Sequence, residues 1–349
     1  MPEPGFGIVG AGSTGLAIAS DLLLRGARVR WIMEQDPGLV ARLLAAESIT
    51  LSGRLGQAKF PLPPLQRGDR ALPECDVVII TATADRHREV ARCLGPALRP
   101  GQLCVLATGY AHGAAVFARY LREAGSVLGP ESVLAFNTTP HLAYAPGDGS
   151  VHLAAVKTWF EGSSVTADAA RAACARLSGF FPALVPAEGQ LASSLNNPNP
   201  VAHVPAFALN AVHAWQERGG AVPQRGAFHL GDFGSPGLDA LRAELDAERL
   251  AVLDALGLGA QALGRNDFAA RAYGPGSRED SSPRLGPTFQ DRFVSEDVPC
   301  GLVPVEVLGA RAAVPTPALS SLITLVSSLT GRDLRAEAQE LGRLDVLPR

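Results

Sequence analysis

Residues 196–203 read Asn196-Asn197-Pro198-Asn199-Pro200-Val201-Ala202-His203, three asparagines and two prolines closing on one imidazole. Proline fixes φ and removes an amide donor, and asparagine favours turns made by its own side chain. The composition therefore predicts a rigid, turn-rich backbone, unsuited to a helix, that delivers His203 at its end. Histidine titrates nearest neutrality of all side chains, so a placed imidazole is first a candidate general acid and base. A bland reading stays open beside it, a buried histidine satisfied by backbone.

Two other stretches carry chemistry. Near the N-terminus, Gly10-Ala11-Gly12-Ser13-Thr14-Gly15 follows the apolar run Phe6-Gly7-Ile8-Val9 and precedes an amphipathic stretch that stops at Gly26. Strand, glycine turn and helix in that order fit a dinucleotide loop: Gly10 permits the turn, Gly12 admits a pyrophosphate to the backbone, and Gly15 lets helix and strand pack closely. The second stretch, residues 286–304, breaks the surrounding helical pattern with prolines and concentrates charge, including Arg292, Glu296 and Asp297. Flanked by apolar segments, it is expected to lie against a core, where its charges need partners.

The elements that must position these residues follow from periodicity. The continuous β-branched run at 77–80 and the apolar runs at 29–33, 103–106 and 133–136 read as buried parallel strands. Ligands of such sheets sit beyond the carboxyl ends of the strands, so Thr81, Ala82 and Thr83 are expected at the cofactor, with Thr108, Gly109 and Thr139 beside nicotinamide or substrate. At the end of the second strand Glu34 can hold ribose hydroxyls, which puts NAD ahead of NADP, although Met33 is an alternative occupant of that position and would turn Glu34 to solvent. Arg30 lies inside the strand, poorly placed for a 2′-phosphate. Residues 151–162 and a helix over 167–177 are expected to complete this sheet and its cover. Beyond a boundary at 188/189 the period becomes 3.6, with Phe207, Leu209, Val212 and Trp215 on one helix and long helices at 236–258 and 314–329. The fold class is thus α/β: an N-terminal Rossmann-type parallel-sheet domain, 1–188, followed by an all-α substrate domain, 189–349.

Composition bounds the partners. The 349 residues, 47% hydrophobic, suffice for two cores. A net charge of −3 with no basic stripe argues against nucleic acid. Five cysteines, Cys75, Cys93, Cys104, Cys174 and Cys300, have neither CxxC nor CxxH spacing, which disfavours a disulfide framework and a zinc site. With no signal peptide or membrane span in the sequence, a reducing cytoplasmic setting is expected. The apolar segment 314–329 is a candidate homodimer surface.

Across both halves the chain resembles the opine dehydrogenase family. The likeness rests on the Asn/Pro segment with its terminal His203, on Arg292-Phe293-Val294-Ser295-Glu296-Asp297-Val298-Pro299 followed by Gly301-Leu302-Val303-Pro304-Val305, on Val314-Pro315-Thr316-Pro317 opening a helix, and on Asp246-Ala247-Glu248-Arg249-Leu250-Ala251-Val252. Opine dehydrogenases reductively condense an α-amino acid with an α-keto acid using NADH or NADPH. The resemblance implies that His203 is the acid/base histidine, Asp297 its partner and Arg292 a clamp for a substrate carboxylate, chemistry that suits each residue type. Asp297 as a helix cap and Arg292 as a surface ion pair remain the alternatives. Asn199, or Asn197, is a candidate to reach substrate or the nicotinamide amide. A ketopantoate reductase or hydroxyacid dehydrogenase of the same two-domain group is the competing enzyme reading, and a cofactor sensor without turnover the competing non-enzyme. The former generally relies on a lysine in its second domain, and the only lysines here are Lys59 and Lys157.

Overall fold

The structure is a computed structural model that describes residues 4–66, 72, 74–210, 234–274 and 292–348. They pack as two compact units: the first is built from 1–109, 113–194 and 269–282, the second from 110–112, 195–268 and 283–349. Trp215, Phe228, Phe233, His213, His229 and residues 286–291 lie outside the described residues.

The first unit centres on an eight-stranded sheet of order β12-β11-β8-β7-β6-β1-β2-β5, with β12 (Leu184–Pro186) and β5 (Leu65–Gln66) at its edges. Its middle is β1 (Gly5–Val9), β2 (Arg28–Met33), β6 (Val77–Ile80), β7 (Leu103–Leu106) and β8 (Val133–Phe136), mutually parallel and rich in β-branched residues. Val9 pairs with Met33 and with Ile80, Ile80 with Leu106, and Leu106 with Ala135. This register brings Gly10, Glu34, Thr81 and Ala107, each the residue after its strand, into one row with Phe136, the last residue of β8, along the carboxyl edge. Helix α1 (Ser13–Leu24) covers the sheet, with Leu16, Ile18 and Leu22 joining Phe6, Ile8, Ile32, Val77 and Val105 in the core. The expected helix at 167–177 is α5 (Ala167–Leu177), and β11 (Phe160–Ser163) joins the sheet antiparallel to β8.

Residues 150–156 do not join it. β10 (Ser150–Val156) pairs with β9 (His141–Tyr144) and with β3 (Ser48–Gly53) in a separate sheet of order β4-β3-β10-β9, β4 being Ala58–Pro61. The reason is the turn before it, where Gly147 (φ 90°) and Gly149 (φ 85°) adopt left-handed backbone and fold β10 back on β9 as a hairpin.

That second sheet is tied to α1 by a buried pair, His141 Nε2 to Asp21 Oδ2 at 2.9 Å, while Arg25 Nε reaches Asp21 Oδ1 at 2.7 Å. Burial by itself raises the Asp21 pKa, but the hydrogen bond and charge of His141, with those of Arg25, outweigh it and hold the carboxyl below its ordinary value. A depressed carboxyl contributes stability above the unfolded carboxylate pKa of about 3.9, lost as pH falls through the folded value. Asp21→Ala is expected to destabilise the protein by about 3–5 kcal/mol at neutral pH, because it strands His141 in the interior. Thermal melts as a function of pH should show a smaller acid loss in the variant than in the parent, and parallel curves would remove Asp21 from the linkage.

The second unit is helical among its described residues. It comprises α7 (Asn199–Leu209), α8 (Pro236–Ala255), α9 (Arg265–Ala272) up to Phe268, α10 (Arg292–Ser295), a π-helical turn at Val298–Leu302, α11 (Val303–Arg311), α12 (Pro317–Thr330) and α13 (Leu334–Glu340). Two expectations change here. The Asn/Pro segment is itself the start of α7, because Pro200 sits in the first turn, where its missing N–H has no helical partner to lose, and Asn197 Oδ1 accepts the Asn199 N–H at 3.1 Å. The segment at 292–302 is helical rather than a loop. Among the described residues no helix is long and apolar enough to cross a membrane.

Candidate active site

At the glycine loop, Gly10 has φ +105°, and a Cβ on Gly15 would lie 1.9 Å from Gly10 O. Both positions demand glycine. Gly12 is exposed, and a Cβ there would meet nothing within 4 Å, so space stands open above the N-terminus of α1, which no side chain caps. Open space, helix N-terminus and bare backbone together fit a dinucleotide pyrophosphate. Ser13 and Thr14 lie in the first turn, and Ser13 Oγ accepts the Ala145 N–H at 3.0 Å. Ala11 is buried, and its N–H donates to Glu34 Oε2 at 2.8 Å, while Glu34 Oε1 accepts the Gln35 and Asp36 N–H groups at 2.8 and 2.9 Å. Glu34 therefore faces the loop, and Met33 is buried in the strand. Arg30 runs alongside Gly5, at the opposite end of β1.

Thr81 is a brace rather than a liner: its hydroxyl donates to Val9 O (2.9 Å) and Gly10 O (3.1 Å), holding the loop's entry. Ala82, Thr83 and Thr108 are half-buried at the same edge. The Thr139 hydroxyl donates to His141 O at 2.9 Å, and its carbonyl accepts from Lys157 Nζ at 2.7 Å, so both of its polar groups stabilise the turn into β9.

In the second unit the structure brings His203 and Asp297 together. His203 Nδ1 lies 2.9 Å from Asp297 Oδ2, with the carboxylate fully buried and the imidazole 16% exposed. An ionised carboxylate only accepts, so the bond puts the proton on Nδ1 and leaves Nε2 as the working nitrogen. Two features position the couple. The π turn after Asp297 widens the helix there, a distortion frequent at functional sites. Gly301 lets that turn approach α7, since a Cβ would fall 2.4 Å from Pro200 Cγ. Phe293, fully buried, packs on the imidazole with ring centroids 4.4 Å apart, and Arg292 lies over the other end of this stack, 4.8 Å from the Phe293 ring and 3.9 Å from Glu296 Oε2. Asp297 caps nothing. Asn199, four residues before His203, shares its face of α7 and is half-buried. Asn196 is structural: it bonds Gln261 O and the Leu263 N–H at 2.8 Å each.

One residue escaped the sequence. Tyr110, next after Gly109 beyond the strand at 103–106, belongs to the second unit, where its hydroxyl donates to Asp297 Oδ1 at 2.5 Å. Nothing in its local pattern announces this, because a single tyrosine after a Thr-Gly pair has no spacing to read. Its φ of +54°, unusual for a side chain of that size, is the structural sign.

Elsewhere burial pushes the Cys75, Cys104 and Cys174 thiols up to about 12, which removes them as nucleophiles near neutrality. Among the described residues no group of three or more His, Cys, Asp or Glu is placed to hold a metal ion.

Comparison with known proteins divides along the same lines. Residues 6–163 match the family described as ketopantoate reductase PanE/ApbA, and residues 186–330 match the NAD/NADP octopine/nopaline dehydrogenase alpha-helical domain. An opine dehydrogenase of Arthrobacter sp. (strain 1C) is 28% identical over 97% of this chain and 94% of its own length. Two solved structures share the fold. An octopine dehydrogenase in complex with NADH and agmatine has a TM-score of 0.69 at 16% identity, covering 97% of this chain and 94% of that one. A yersinopine dehydrogenase with NADP+ bound has a TM-score of 0.70 at 15% identity, covering 99% of each. The match through the helical half takes in His203 and Asp297, and the likeness to an opine dehydrogenase runs nearly end to end.

Proposed function

We infer that this protein is an NAD(P)H-dependent opine dehydrogenase, which condenses an α-amino acid with an α-keto acid such as pyruvate through an imine, and oxidises the product in reverse. The observation that carries the reading is the His203–Asp297 couple inside the segment that matches the family's helical domain. In this reading residues 1–188 carry the cofactor and 189–349 the substrate chemistry.

The reaction sets four tasks, and each has a residue. When bound, the nicotinamide supplies the hydride that reduces the imine carbon. His203 Nε2 takes a proton from the substrate ammonium, freeing the amine to attack the keto carbon, and returns one to the carbinolamine oxygen as it leaves as water. Asp297 fixes the tautomer that makes Nε2 available and stabilises the imidazolium between the two transfers. Arg292 presents a guanidinium for a substrate carboxylate, with Asn199 as a further substrate contact, while Thr139, its hydroxyl held by His141 O, shapes the turn into β9. Gly10 through Gly15 hold the pyrophosphate, and Ala82, Thr83 and Thr108 border the cofactor.

NAD is the proposed cofactor, because Glu34 is aimed at the loop where the adenosine ribose sits and a carboxylate there repels a 2′-phosphate. Glu34→Gln is expected to weaken NADH by about tenfold, the worth of one charged hydrogen bond, and to narrow the gap to NADPH. Dissociation constants for both cofactors check this, and an unchanged ratio would take Glu34 out of the choice.

The test of the function is NADH oxidation with keto acid alone, amino acid alone and both. The opine reading requires both, keto acid alone sufficing would support a hydroxyacid dehydrogenase, and no oxidation under any of the three conditions would support a sensor. The match to the ketopantoate reductase family model spans residues 6–163, whereas the helical half matches the octopine/nopaline dehydrogenase domain, and the chain has no lysine beyond Lys157 to serve ketopantoate chemistry. We place the enzyme in the cytoplasm, where its free cysteines stay reduced, and propose a homodimer through α12, on which Leu325 is 45% exposed; a sizing column tests the latter.

A further inference from the structure

We propose that Tyr110 is a positioning residue for the acid–base couple, its hydroxyl setting both the orientation of Asp297 and the basicity of His203; the inference rests on the opine dehydrogenase reading given above. Asp297 is held from two sides, with Tyr110 donating to Oδ1 at 2.5 Å and His203 meeting Oδ2 at 2.9 Å. Among the described residues these are its two hydrogen-bond partners, and the carboxylate is 0% exposed. Neither oxygen can therefore exchange its donor for water, and rotation of the carboxylate would break both bonds at once.

Tyr110 acts as donor only. It is 2% exposed, and burial first, then the charges of Asp297 and Glu296, raise its hydroxyl far above the usual tyrosine range against the smaller opposing effect of Arg292. The phenol keeps its proton throughout turnover, so it is no proton relay. A fixed donor on Oδ1 draws charge from the carboxylate, leaving it less able to pull the Nδ1 proton and less stabilising toward the imidazolium. Tyr110 thereby tempers the pull of Asp297 on the Nδ1 proton.

The short segment 110–112 is built for this reach. Tyr110 and His112 both have left-handed backbone, φ +54° and +50°, and the Ala111 N–H is bonded to Cys300 O at 3.4 Å on the π turn. Such conformations persist where surrounding contacts over-determine them. Gly301 on the same turn lies beside the Tyr110 ring, whose Cδ1 would be in ordinary contact, 3.6 Å, with a Cβ there. Among the described residues, the charges that act on Tyr110 besides Asp297 are those of Glu296 and Arg292, and Arg242 on α8 donates to the carbonyl of Ala202, the chain neighbour of His203. Glu306 and Arg335 pair with each other, and Arg242 with Asp239.

The test is the pH dependence of kcat/KM in the full-length enzyme, with a His203 titration by NMR on 15N-histidine-labelled protein as a readout independent of turnover. Tyr110→Phe should raise the apparent pKa of His203 by about one unit and lower kcat while leaving NADH affinity unchanged. Replacing Tyr110 by difluorotyrosine, nearly isosteric and a stronger donor, should move the same pKa down, which keeps the inference testable should the phenylalanine variant fold poorly. Opposite shifts in the two variants establish the role. A titration unmoved in the difluorotyrosine protein, or a Tyr110→Phe enzyme that loses melting temperature with its pH profile intact, would overturn it. Should the unmodified enzyme fail to couple amino acid and keto acid, the opine reading falls, and the NMR titration still decides the Tyr110 inference.

Discussion

Replacing His203 by alanine is expected to lower kcat by about two to four orders of magnitude, the range contributed by a positioned acid–base group, with NADH binding unchanged. Separation of the two effects follows from where the residues lie. His203 belongs to the second compact unit, and the glycine loop with Glu34 belongs to the first. The loss should fall on kcat and kcat/KM together, since proton transfer is needed only as the transition state forms. It should also exceed the loss in Asp297→Asn, which keeps the imidazole but offers it the wrong partner. Stopped-flow reduction and a fluorescence titration of NADH check both halves. A variant turning over near the parental rate would remove His203 from the mechanism.

Gly15→Ala should abolish function by the other route. Its Cβ would stand 1.9 Å from the Gly10 carbonyl and 3.0 Å from Thr81 Oγ1, a collision with backbone and with the side chain that braces it. The loop must open to admit the methyl, at a cost of about 1–3 kcal/mol as in other overpacked sites, and it opens where the pyrophosphate needs close backbone. NADH affinity is expected to fall by about a hundredfold, while the His203 titration stays as in the parent. Calorimetric titration of NADH measures the first and NMR the second; near-normal affinity would mean that the loop does not hold the cofactor as inferred.

The N-terminal half was legible because its signals are local. Continuous apolar strands, a glycine turn and a helix stop lie next to each other in the chain, and the register that aligns Gly10, Glu34 and Thr81 follows from parallel pairing. Even the ambiguity between Met33 and Glu34 was a matter of one strand position, resolved by the bond from Ala11. Errors arose where context outweighed propensity. Pro200 reads as a helix breaker but is tolerated in a first turn, and Pro205 is carried inside α7. Prolines at 299 and 304 likewise sit in helical turns rather than a loop. The hairpin that diverts β10 to a second sheet turns on Gly147 and Gly149, which read equally well as an ordinary connection.

The candidate site was legible in its named pair and illegible in its surroundings. His203 and Asp297 were joined by family likeness, and the 2.9 Å bond gives that pairing geometry. Thr81 and Thr139, chosen for their place at strand ends, spend their hydroxyls on backbone carbonyls, which distinguishes a residue near a site from a residue facing it. Phe293 stacked on the imidazole and Tyr110 on Asp297 are long-range contacts, and no spacing in one sequence encodes them.

The central claim is that the enzyme makes a carbon–nitrogen bond between two substrates and reduces it. Its most direct test is mass analysis of the product formed from a 15N-labelled amino acid, an α-keto acid and NADH. The account predicts one secondary amine that retains the 15N label and carries both carbon skeletons, with a mass equal to the sum of the two substrates less water plus two hydrogens. A 2-hydroxy acid free of label, formed from the keto acid whether or not amino acid is present, would contradict it.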